Sequence, residues 1–396
     1  MKTKKLIPVI LFVLVSAVVL SAETVGIINL AQHEGEKTKS FNVAKGGKLN
    51  ININPGEIKI STWDKEEVLV KVEGLEEDEL ESVEMKLKGN TVYVTYNPQW
   101  GWGGDAEFSF TVPSQFNVDA KTSGGDIKIN SNISGDVDVS SMGGDIKAID
   151  INGKARLSTQ GGDIKAGNIT GSLAANTMGG DIKIGDIKGE SAKVNTMGGE
   201  IKIGKVSSEL GATTYGGDII IKGVGGNADL ETMGGNIEVY DVKSKVKMDT
   251  KGGNLLVKNS SGSIQAVTYA GEIELYGISG GVDVKTMSGN IMAEINPSAG
   301  TKSSLFSQNG NIDLYMPSAA KTEVDAEIKT WGNWKYRNDD FKIESDFDSD
   351  KSITNEDKKG ISKSYLINGG GSKINLKTTN GSISIIKGKI RTTGEE

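Results

Sequence analysis

The sequence repeats one short pattern ten times between residues 125 and 289, at a spacing of 18 or 19 residues. Each unit has a hydroxyl residue, a turn that ends in glycine, an acidic or amide residue, and then isoleucine or leucine. A repeat of this regularity predicts units that stack on one another along a single axis. The last glycine of each turn, here named the marker glycine, is Gly125, Gly144, Gly162, Gly180, Gly199, Gly217, Gly235, Gly253, Gly271 or Gly289.

Apolar residues alternate with polar residues on both sides of the marker glycine. In the unit around Gly180, Leu173 and Ala175 precede the glycine, and Ile182 and Ile184 follow it. Alternation with a period of two is typical of a strand with one buried face. A further apolar position lies seven residues after the marker in most units, so each unit has three short apolar faces.

These faces predict an all-β fold, a right-handed parallel β-helix (β-solenoid) with 18–19 residues per coil and a roughly triangular section. One unit cannot bury its apolar faces alone, whereas strands of successive coils pair at about 4.8 Å and bury them in a continuous core. The right-handed sense is expected because parallel crossover connections almost always have that hand. We expect the glycine pair at the turn to supply positive φ angles. The hydroxyl residue three before the marker is expected to point inward and bond the turn backbone.

The N-terminal residues have the pattern of a secretory signal. Lys2, Lys4 and Lys5 precede an apolar run over residues 6–20, and cleavage is expected after Ala22. The alternative is an uncleaved anchor, because Leu20 at the third position before the cut is less usual. No other segment has the length and apolar character needed to cross a bilayer, and the absence of cysteine excludes disulfide bonds.

The predicted division of the chain is a signal peptide (1–22), a linker (23–40), a single β-helix domain (41–390) and a tail (391–396). Within the β-helix domain we predict an N-terminal cap and first coil (41–116), regular coils (117–316), an excursion (317–372) and a final coil (373–390).

Both ends of the predicted β-helix are interrupted by long insertions. Further coils are predicted around Gly56, Gly310 and Gly381, and long non-repeating stretches separate Gly56 from the regular coils and Gly310 from Gly381. Within the first insertion, residues 67–73 and 91–96 are expected to be strands. Irregular polar ends are expected to cap the rod, because bare sheet edges invite edge-to-edge pairing.

Charged residues also form columns along the repeat. Carboxylates stacked about 5 Å apart repel one another, and this repulsion would be relieved by neighbouring lysines or by bound Ca²⁺. We favour a ladder of ion pairs, keep Ca²⁺ as the alternative, and predict no other cofactor. The first column is Asp126, Asp145, Asp163, Asp181, Glu200, Asp218, Asn236, Asn254, Glu272 and Asn290, and the lysine column two residues further is Lys128, Lys147, Lys165, Lys183 and Lys202.

The second half of the repeat region, from Gly217 to Gly289, lacks the lysine column and is richer in tyrosine. Tyrosines there, and tryptophans outside the regular coils, are candidate surfaces for a glycan or a partner protein. The alternative is structural, since tryptophans commonly plug a rod end, and the excursion at 317–372 would cover the lysine-poor coils. The candidate ligand-surface residues are Trp100, Trp102, Trp331, Trp334, Tyr240 and Tyr276.

Composition argues against several classes of function. His33 is the only histidine, so neither a Ser-His-Asp triad nor a histidine metal cluster can form. Acidic residues recur once per coil, and none forms a pair set apart for general acid–base chemistry. A formal net charge of −7, with interleaved acidic and lysine columns, argues against nucleic-acid binding. No catalytic residue and no metal site are therefore predicted.

Short motifs at both ends of the repeat region resemble a known family. They are residues 41–43 (Phe-Asn-Val), 54–58 (Asn-Pro-Gly-Glu-Ile), 118–122 (Val-Asp-Ala-Lys-Thr) and 369–371 (three glycines). They are similar to a bacterial family of unknown function described as candidate adhesins with β-strand repeats, and the resemblance covers roughly residues 40–390. It implies a β-helical protein associated with the cell envelope, with no established catalytic residues to carry over.

Together these patterns predict a non-enzymatic exported β-helix protein, an adhesin-like or scaffold module of the cell envelope. Its expected location is the periplasm, the cell surface or the extracellular space. The candidate partners are an envelope polysaccharide or another surface protein. The alternative is a glycan-binding or glycan-cleaving β-helix protein. Glycan cleavage that a single acidic substitution abolishes would establish the cleaving form of this alternative.

Overall fold

The structure is a computed structural model that describes residues 35–98, 106–329, 341–348, 351–357 and 360–389. Within these residues each repeat unit forms one coil, with one strand before the marker glycine and one after it. The strands before the markers form an upstream sheet, and the strands after them form a downstream sheet. The predicted all-β parallel β-helix is thereby confirmed. None of the described residues forms a helix long and apolar enough to cross a membrane.

The N-terminal end of the rod contains a coil that the chain adds out of order. Its elements are β1 (Glu36–Asn42), β2 (Lys48–Ile53), β3 (Glu57–Trp63), β4 (Glu67–Glu73), α1 (Glu77–Ser82), β5 (Glu84–Lys88), β6 (Thr91–Tyr96) and β7 (Glu107–Pro113). β6 pairs in parallel with β2, and β7 with β3, so the insertion forms a coil outside the first one. β5, β4 and β1 then pair antiparallel to β6, β7 and β4, respectively, and close the end. The two strands predicted in this insertion match β4 and β6, while β1 begins at Glu36, inside the segment predicted as a linker.

The regular coils supply eleven strands to each sheet. In the upstream sheet they are β8 (Asn117–Thr122), β10 (Val137–Ser141), β12 (Ala155–Ser158), β14 (Leu173–Asn176), β16 (Ser191–Asn195), β18 (Glu209–Thr213), β20 (Ala228–Glu231), β22 (Val246–Asp249), β24 (Ile264–Thr268), β26 (Val282–Thr286) and β28 (Lys302–Asn309). In the downstream sheet they are β9 (Ile127–Ile129), β11 (Ile146–Ala148), β13 (Ile164–Ala166), β15 (Ile182–Ile184), β17 (Ile201–Val206), β19 (Ile219–Val224), β21 (Ile237–Val242), β23 (Leu255–Ser260), β25 (Ile273–Ile278), β27 (Ile291–Ile295) and β29 (Ile312–Met316).

The C-terminal end is arranged like the N-terminal end. Its strands are β30 (Thr322–Lys329), β31 (Ile343–Ser345), β32 (Lys351–Asp357), β33 (Gly360–Ile367), β34 (Ser372–Asn380) and β35 (Ile383–Lys387). β34 and β35 stack on β28 and β29 as the next coil, and β30 and β31 then pair in parallel with the outer side of that coil. β33 pairs antiparallel to β30, and β32 pairs antiparallel to β33. The described part of the excursion at 317–372 therefore extends the rod beyond its final coil.

Successive coils stack with their repeat positions directly opposite one another. Ile146, Ile164 and Ile182 lie opposite in the downstream sheet, and Leu157 lies opposite Ala175 in the upstream sheet. A residue type that recurs in the sequence therefore forms a straight line along the rod. This alignment converts each sequence column into a row of side chains about 4.8 Å apart.

The third apolar face is narrower than a sheet. Ile133, Ile151, Ile169, Ile187 and Val206 form a row of isolated parallel bridges, and each is at most 1% exposed. From Val206 onward this position is the last residue of the longer downstream strands. The column is buried as expected, but it joins the two sheets as a single-residue ladder and does not form a third sheet.

Inward residues of both sheets form one hydrophobic core along the rod. Ile164, Ile182 and Ile201 are fully buried, as are their counterparts at the same position in the other coils. At the N-terminal end the ring of Tyr96 packs against that of Phe108, with 5.6 Å between their centroids. Burial of each large apolar side chain contributes about 1.5–3 kcal/mol, so the stack of coils rather than any single unit holds the fold.

The two glycines of each turn have different roles. A Cβ on Gly144 would overlap the carbonyl oxygen of Gly125 in the preceding coil, and the other marker glycines are equally close to their predecessors. A Cβ on Gly143 would lie 3.6 Å from the carbonyl oxygen of Gly124, which is an ordinary contact. The expectation that the pair supplies positive φ angles is wrong, because the positive-φ glycines lie elsewhere in the described residues. Close stacking of the coils, and not backbone strain, requires the marker glycine.

Candidate functional site

The hydroxyl residue three before each marker connects neighbouring coils. The Thr177 hydroxyl donates a hydrogen bond to the Gly162 carbonyl at 2.9 Å and accepts one from the Gly180 N–H at 3.3 Å. The side chain is 5% exposed, so both backbone groups would be buried without a partner in its absence. The predicted inward, structural role of these hydroxyls is confirmed. The same donation to the preceding coil is made by Thr122, Ser141, Thr159, Thr196, Thr214, Thr232, Thr250, Thr268, Thr286, Ser307 and Thr378.

The acidic column is held by two kinds of partner. Asp163 accepts a hydrogen bond from the Lys165 ammonium at 2.9 Å and another from the backbone N–H of Asp181 in the next coil at 2.9 Å. The lysine and then the N–H lower the pKa of Asp163, while the backbone N–H of Asp163 is the main cause of the lowered pKa of Asp145. Four of the five lysines of the column form the predicted ion pair, and the backbone contacts are an addition that the sequence did not suggest. Ion pairs of this kind join Lys128 to Asp126, Lys147 to Asp145, Lys165 to Asp163 and Lys202 to Glu200.

This engagement of the carboxylates bears on the calcium alternative. Across the part of the chain that the structure describes, no three histidine, cysteine, aspartate or glutamate residues are grouped so as to hold a metal ion. A carboxylate whose oxygens already accept from an N–H and a lysine has fewer lone pairs to offer a cation. Lysine ammonium groups and backbone N–H groups of the protein therefore offset the repulsion between the stacked carboxylates.

A second polar ladder lies at the corner six residues after the marker. The backbone N–H of Asn168 donates to Asp150 at 2.7 Å, and the N–H of Asp186 donates to Asn168 at 3.0 Å. In the lysine-poor coils this corner changes, because Asp241 and Asn259 adopt φ angles of 48° and 62°. A groove of about 540 Å³ follows the altered corner. Sequence reasoning missed this ladder, although the alternating Asn and Asp at a fixed position were its signal.

The candidate residues Tyr240 and Tyr276 lie on the outward face of the downstream sheet, on either side of Lys258. The three residues are directly opposite one another in β21, β23 and β25. The Lys258 ammonium lies 6.0 Å from the ring centroid of Tyr240 and 5.3 Å from that of Tyr276, within the range of cation–π attraction. We name these three residues the tyrosine–lysine face.

Each tyrosine of this face is anchored by a carboxylate. The Tyr240 hydroxyl donates to Glu238 at 3.1 Å, and the Tyr276 hydroxyl donates to Glu274 at 2.8 Å. Burial, followed by the bond to Glu274, raises the pKa of Tyr276 to about 12, and burial followed by Glu238 raises that of Tyr240. The rings are half-buried and held in fixed orientations. Such a face offers flat apolar rings beside a cation and carboxylates, a mixture that suits a polar ligand with an apolar side.

The structure does not describe the other four candidate residues. Trp100, Trp102, Trp331 and Trp334 lie outside the described residues, as does His33. The structure therefore unites two of the six predicted ligand-surface residues. The assignment of all six to a ligand surface stays a prediction.

Sequence reasoning missed an exposed column two residues before the marker glycine. Met142, Met178, Met197 and Tyr215 are between 50% and 56% exposed. Backbone hydrogen bonds stack the column, since the Met197 N–H donates to the Met178 carbonyl and the Tyr215 N–H to that of Met197. The signal was available, because a residue next to an inward hydroxyl points outward. Its exposed members, here named the exposed stripe, are Met142, Gln160, Met178, Met197, Tyr215, Met233, Lys251 and Tyr269, and Ser123 and Met287 hold the same position at the two ends and are partly exposed.

One family model matches this chain. Residues 47–240 match the model described as Toastrack DUF4097, which spans the N-terminal end and the coils up to β21. No curated protein matches the chain.

Several solved structures are similar to this chain over most of its length. A candidate adhesin from Bacteroides fragilis is 12% identical, with 89% of this chain and 98% of that chain covered and a TM-score of 0.23. A candidate adhesin from Parabacteroides distasonis is 13% identical, with 89% and 97% covered and a TM-score of 0.25. A candidate lipid-binding protein from Parabacteroides distasonis is 12% identical, with 68% and 93% covered and a TM-score of 0.24. Identities and scores at this level support no inference about ligands.

Proposed function

Through residues 47–240 this chain belongs to the Toastrack family, and from this premise we propose that it is a non-enzymatic, adhesin-like or scaffold β-solenoid of the cell envelope. The observation that carries the proposal is that the repeated polar residues form hydrogen bonds between coils. The hydroxyl column, the acidic column and the ladder of Asn and Asp six residues after the marker all accept hydrogen bonds from, or donate them to, the backbone of a neighbouring coil. Because these columns stabilise the stack of coils, we assign ligand binding to the outward side chains that vary from coil to coil.

The state of the acidic column supports the absence of catalysis. A general acid at neutral pH needs a raised pKa, whereas the pKa of Asp163 and of Asp145 is lowered. The carboxylate of Asp163 is also occupied by Lys165 and by a backbone N–H. These groups are suited to structural bonds and poorly suited to proton transfer.

The tyrosine–lysine face is the ligand surface that we assign to an envelope polysaccharide. Sugar rings have apolar faces that stack on aromatic side chains and hydroxyl groups that bond charged ones. Tyr240 and Tyr276 lie two coils apart, about 10 Å at the strand spacing. Lys258 between them supplies a cation for an acidic or hydroxyl group of the ligand.

Binding of the purified chain to an array of bacterial envelope polysaccharides tests this assignment. Each ring contributes about 0.5–1.5 kcal/mol, so the Tyr240→Ala/Tyr276→Ala double variant should bind about tenfold more weakly or worse. Tyr93→Ala is the matched control, because Tyr93 is also partly exposed but lies at the N-terminal end. An array with no binding, or equal losses for the double variant and the control, contradicts the assignment.

Release of reducing sugar from the bound polysaccharide separates binding from cleavage. We expect none. Release that Asp163→Asn abolishes would establish the glycan-cleaving alternative and overturn the non-enzymatic proposal.

Export is proposed from the N-terminal signal pattern, which lies outside the described residues. Cell fractionation with N-terminal sequencing should recover the protein outside the cytoplasm with Glu23 as its first residue. Cytoplasmic protein that retains residues 1–22 contradicts this part of the proposal.

A further inference from the structure

The outward face of the downstream sheet changes its pattern after Lys202. Up to that residue, lysine recurs three positions after the marker in every coil from Lys128 onward. Beyond it two kinds of coil alternate, one with an apolar residue two positions before a charged one, the other with an acidic residue two positions before a tyrosine. In chain order these coils contain Ile220 and Lys222, Glu238 and Tyr240, Leu256 and Lys258, Glu274 and Tyr276, Met292 and Glu294, and Asp313 and Tyr315.

Strand register aligns this alternation along the rod. The first residues of the six pairs lie directly opposite one another from β19 to β29. Lys222 shares the outward face with the tyrosine–lysine face, because it lies two residues after Ile220 in β19. The surface pattern therefore repeats every two coils, about 10 Å at the strand spacing. Since the buried columns repeat in every coil, packing of the core does not require this doubled period.

Rings and cations alternate over four coils. We name Lys222, Tyr240, Lys258 and Tyr276 the alternating row, which spans about 14 Å at the strand spacing. Beyond it the register of β25 and β27 shifts between Leu275 and Ile278. The next charged residue has the opposite sign, since it is a glutamate. The row is therefore a bounded surface with two cations and two rings.

Both lysines of the alternating row lack an acidic partner. In the first half of the repeat region, lysine follows an acidic residue by two positions and pairs with it. The residues two positions before Lys222 and Lys258 are Ile220 and Leu256, and within the described part of the chain neither lysine forms an ion pair. Their ammonium groups are therefore available to an anionic group of a ligand.

A groove of about 710 Å³ continues the row toward the N-terminal end of the rod. Gly185 and Gly204 hold the position of Lys222 in the two preceding coils, and Lys183 and Lys202 line the groove beside them. Because glycine has no side chain, a linear ligand on the alternating row has room to continue along the rod through this groove. The surface thus suits a polymer that lies parallel to the rod axis.

We propose that the alternating row binds an extended acidic polysaccharide whose repeating unit is one uronic acid and one uncharged sugar, an assignment that rests on the proposed function and names the class of its ligand. An extended disaccharide is close in length to two coils, so sugars of one kind meet the row at every second coil. The uronic carboxylates accept hydrogen bonds from Lys222 and Lys258. The uncharged sugars pack their apolar faces against the rings of Tyr240 and Tyr276.

Charge complementarity separates this polymer from other polysaccharides. A polymer with an acid on every sugar would bring carboxylates to the tyrosine coils, where Glu238 and Glu274 would repel them. An uncharged polymer would leave both ammonium groups of the row without an anion. An acid on every second sugar places each carboxylate at a lysine coil and none at a tyrosine coil.

Isothermal titration of the purified chain with three hexasaccharides tests the proposal. The first alternates glucuronic acid with N-acetylglucosamine, the second contains galacturonic acid alone, and the third contains β-1,4-linked glucose alone. We expect the alternating hexasaccharide to bind at least tenfold more tightly than either of the others.

Removal of the two charges should abolish this preference. Lys222→Gln/Lys258→Gln should weaken binding of the alternating hexasaccharide at least tenfold, because two charge-assisted hydrogen bonds are lost. Binding of the glucose hexasaccharide should not change. Lys193→Gln is the matched control, since Lys193 is an exposed lysine in β16 of the upstream sheet, and it should bind like wild type.

An exchange of neighbours tests the order of the row. Lys222→Tyr/Tyr240→Lys keeps the composition and charge of the row but places the two lysines in adjacent coils. It should weaken binding of the alternating hexasaccharide at least tenfold. An unchanged Tm would show that the exchange variant folds, and Lys222→Gln alone, a change of one exposed side chain, should still weaken binding about threefold or more.

Equal binding of the three hexasaccharides overturns the proposal, as does wild-type affinity in the exchange variant. Preference for the glucose hexasaccharide, lost in Tyr240→Ala/Tyr276→Ala, would keep the polysaccharide surface and overturn only the class of its ligand. Absence of binding both to the hexasaccharides and to the envelope polysaccharide array would overturn the ligand class and the polysaccharide surface together.

Discussion

Replacement of Thr214 by valine isolates the stabilising effect of the hydroxyl column. Thr214 is 1% exposed, donates to the Gly199 carbonyl at 2.9 Å and accepts from the Gly217 N–H at 3.4 Å. Valine has nearly the same shape, so it leaves no cavity and removes only the hydrogen bonds. A buried backbone group without its partner costs about 1–3 kcal/mol, and we expect the Thr214→Val variant to lose about 2 kcal/mol.

Two control variants and two assays separate the loss of the hydrogen bonds from other effects of the substitution. Thr213→Val changes the neighbouring, partly exposed threonine and should remain within about 0.5 kcal/mol of wild type. Thr214→Ser keeps the hydroxyl and loses one methyl, for a loss of about 1 kcal/mol. Denaturant unfolding measures the total effect, and hydrogen exchange around Thr214 should accelerate about thirtyfold, since 1.4 kcal/mol is a factor of ten. Equal stability of Thr214→Val and Thr213→Val would refute the reasoning.

Three further predictions concern charge and metal. Because the pKa of Asp145 and Asp163 is lowered in the folded protein, their stabilisation is present above the ordinary value of 3.8 and is lost as the pH falls below it. Tm should therefore drop at about pH 3 relative to about pH 6 and drop less in the Asp145→Asn/Asp163→Asn variant, whereas equal drops would contradict the ladder. The phenolate absorbance lost on Tyr276→Phe should titrate near pH 12, and a midpoint near 10 would show that burial and Glu274 do not hold the phenol. Addition of a calcium chelator should leave Tm unchanged within about 1 °C, and a large fall would establish the Ca²⁺ alternative.

The repeating core was predictable because coils stack without a shift. Ile146, Ile164 and Ile182 occupy one sequence column and one line in space, so period-two alternation identified them as buried. The inward hydroxyls followed from the same parity. The third face was predicted as buried but not as a single-residue ladder, since burial alone does not reveal how many backbone hydrogen bonds a segment makes.

The order of coils at the two ends was not predictable from the chain. β6 and β7 follow β3 in sequence yet lie outside β2 and β3 in the stack, and β30 lies outside β34, which comes later. Periodicity identifies a strand and its buried face but not which side of an existing coil it joins. These insertions end in antiparallel strands, as the need to cover a sheet edge suggests.

The surface was the least predictable part of the molecule. The exposed stripe tolerates methionine, tyrosine, glutamine and lysine, because nothing in the packing of one chain constrains an outward corner residue. Tyr240 and Tyr276 were identified as aromatic residues in a lysine-poor region, but Lys258 between them became significant only through the register of β21, β23 and β25.

The central claim is that the repeated residues serve the close stacking of coils, and one neighbouring pair of variants tests it directly. Gly143→Ala has room for its methyl group and should be as stable as wild type or slightly more so. Gly144→Ala drives the methyl group into the Gly125 carbonyl of the preceding coil and should lose about 3 kcal/mol or more, or fail to fold. Denaturant unfolding of the two variants gives the result, and equal stabilities would contradict the account.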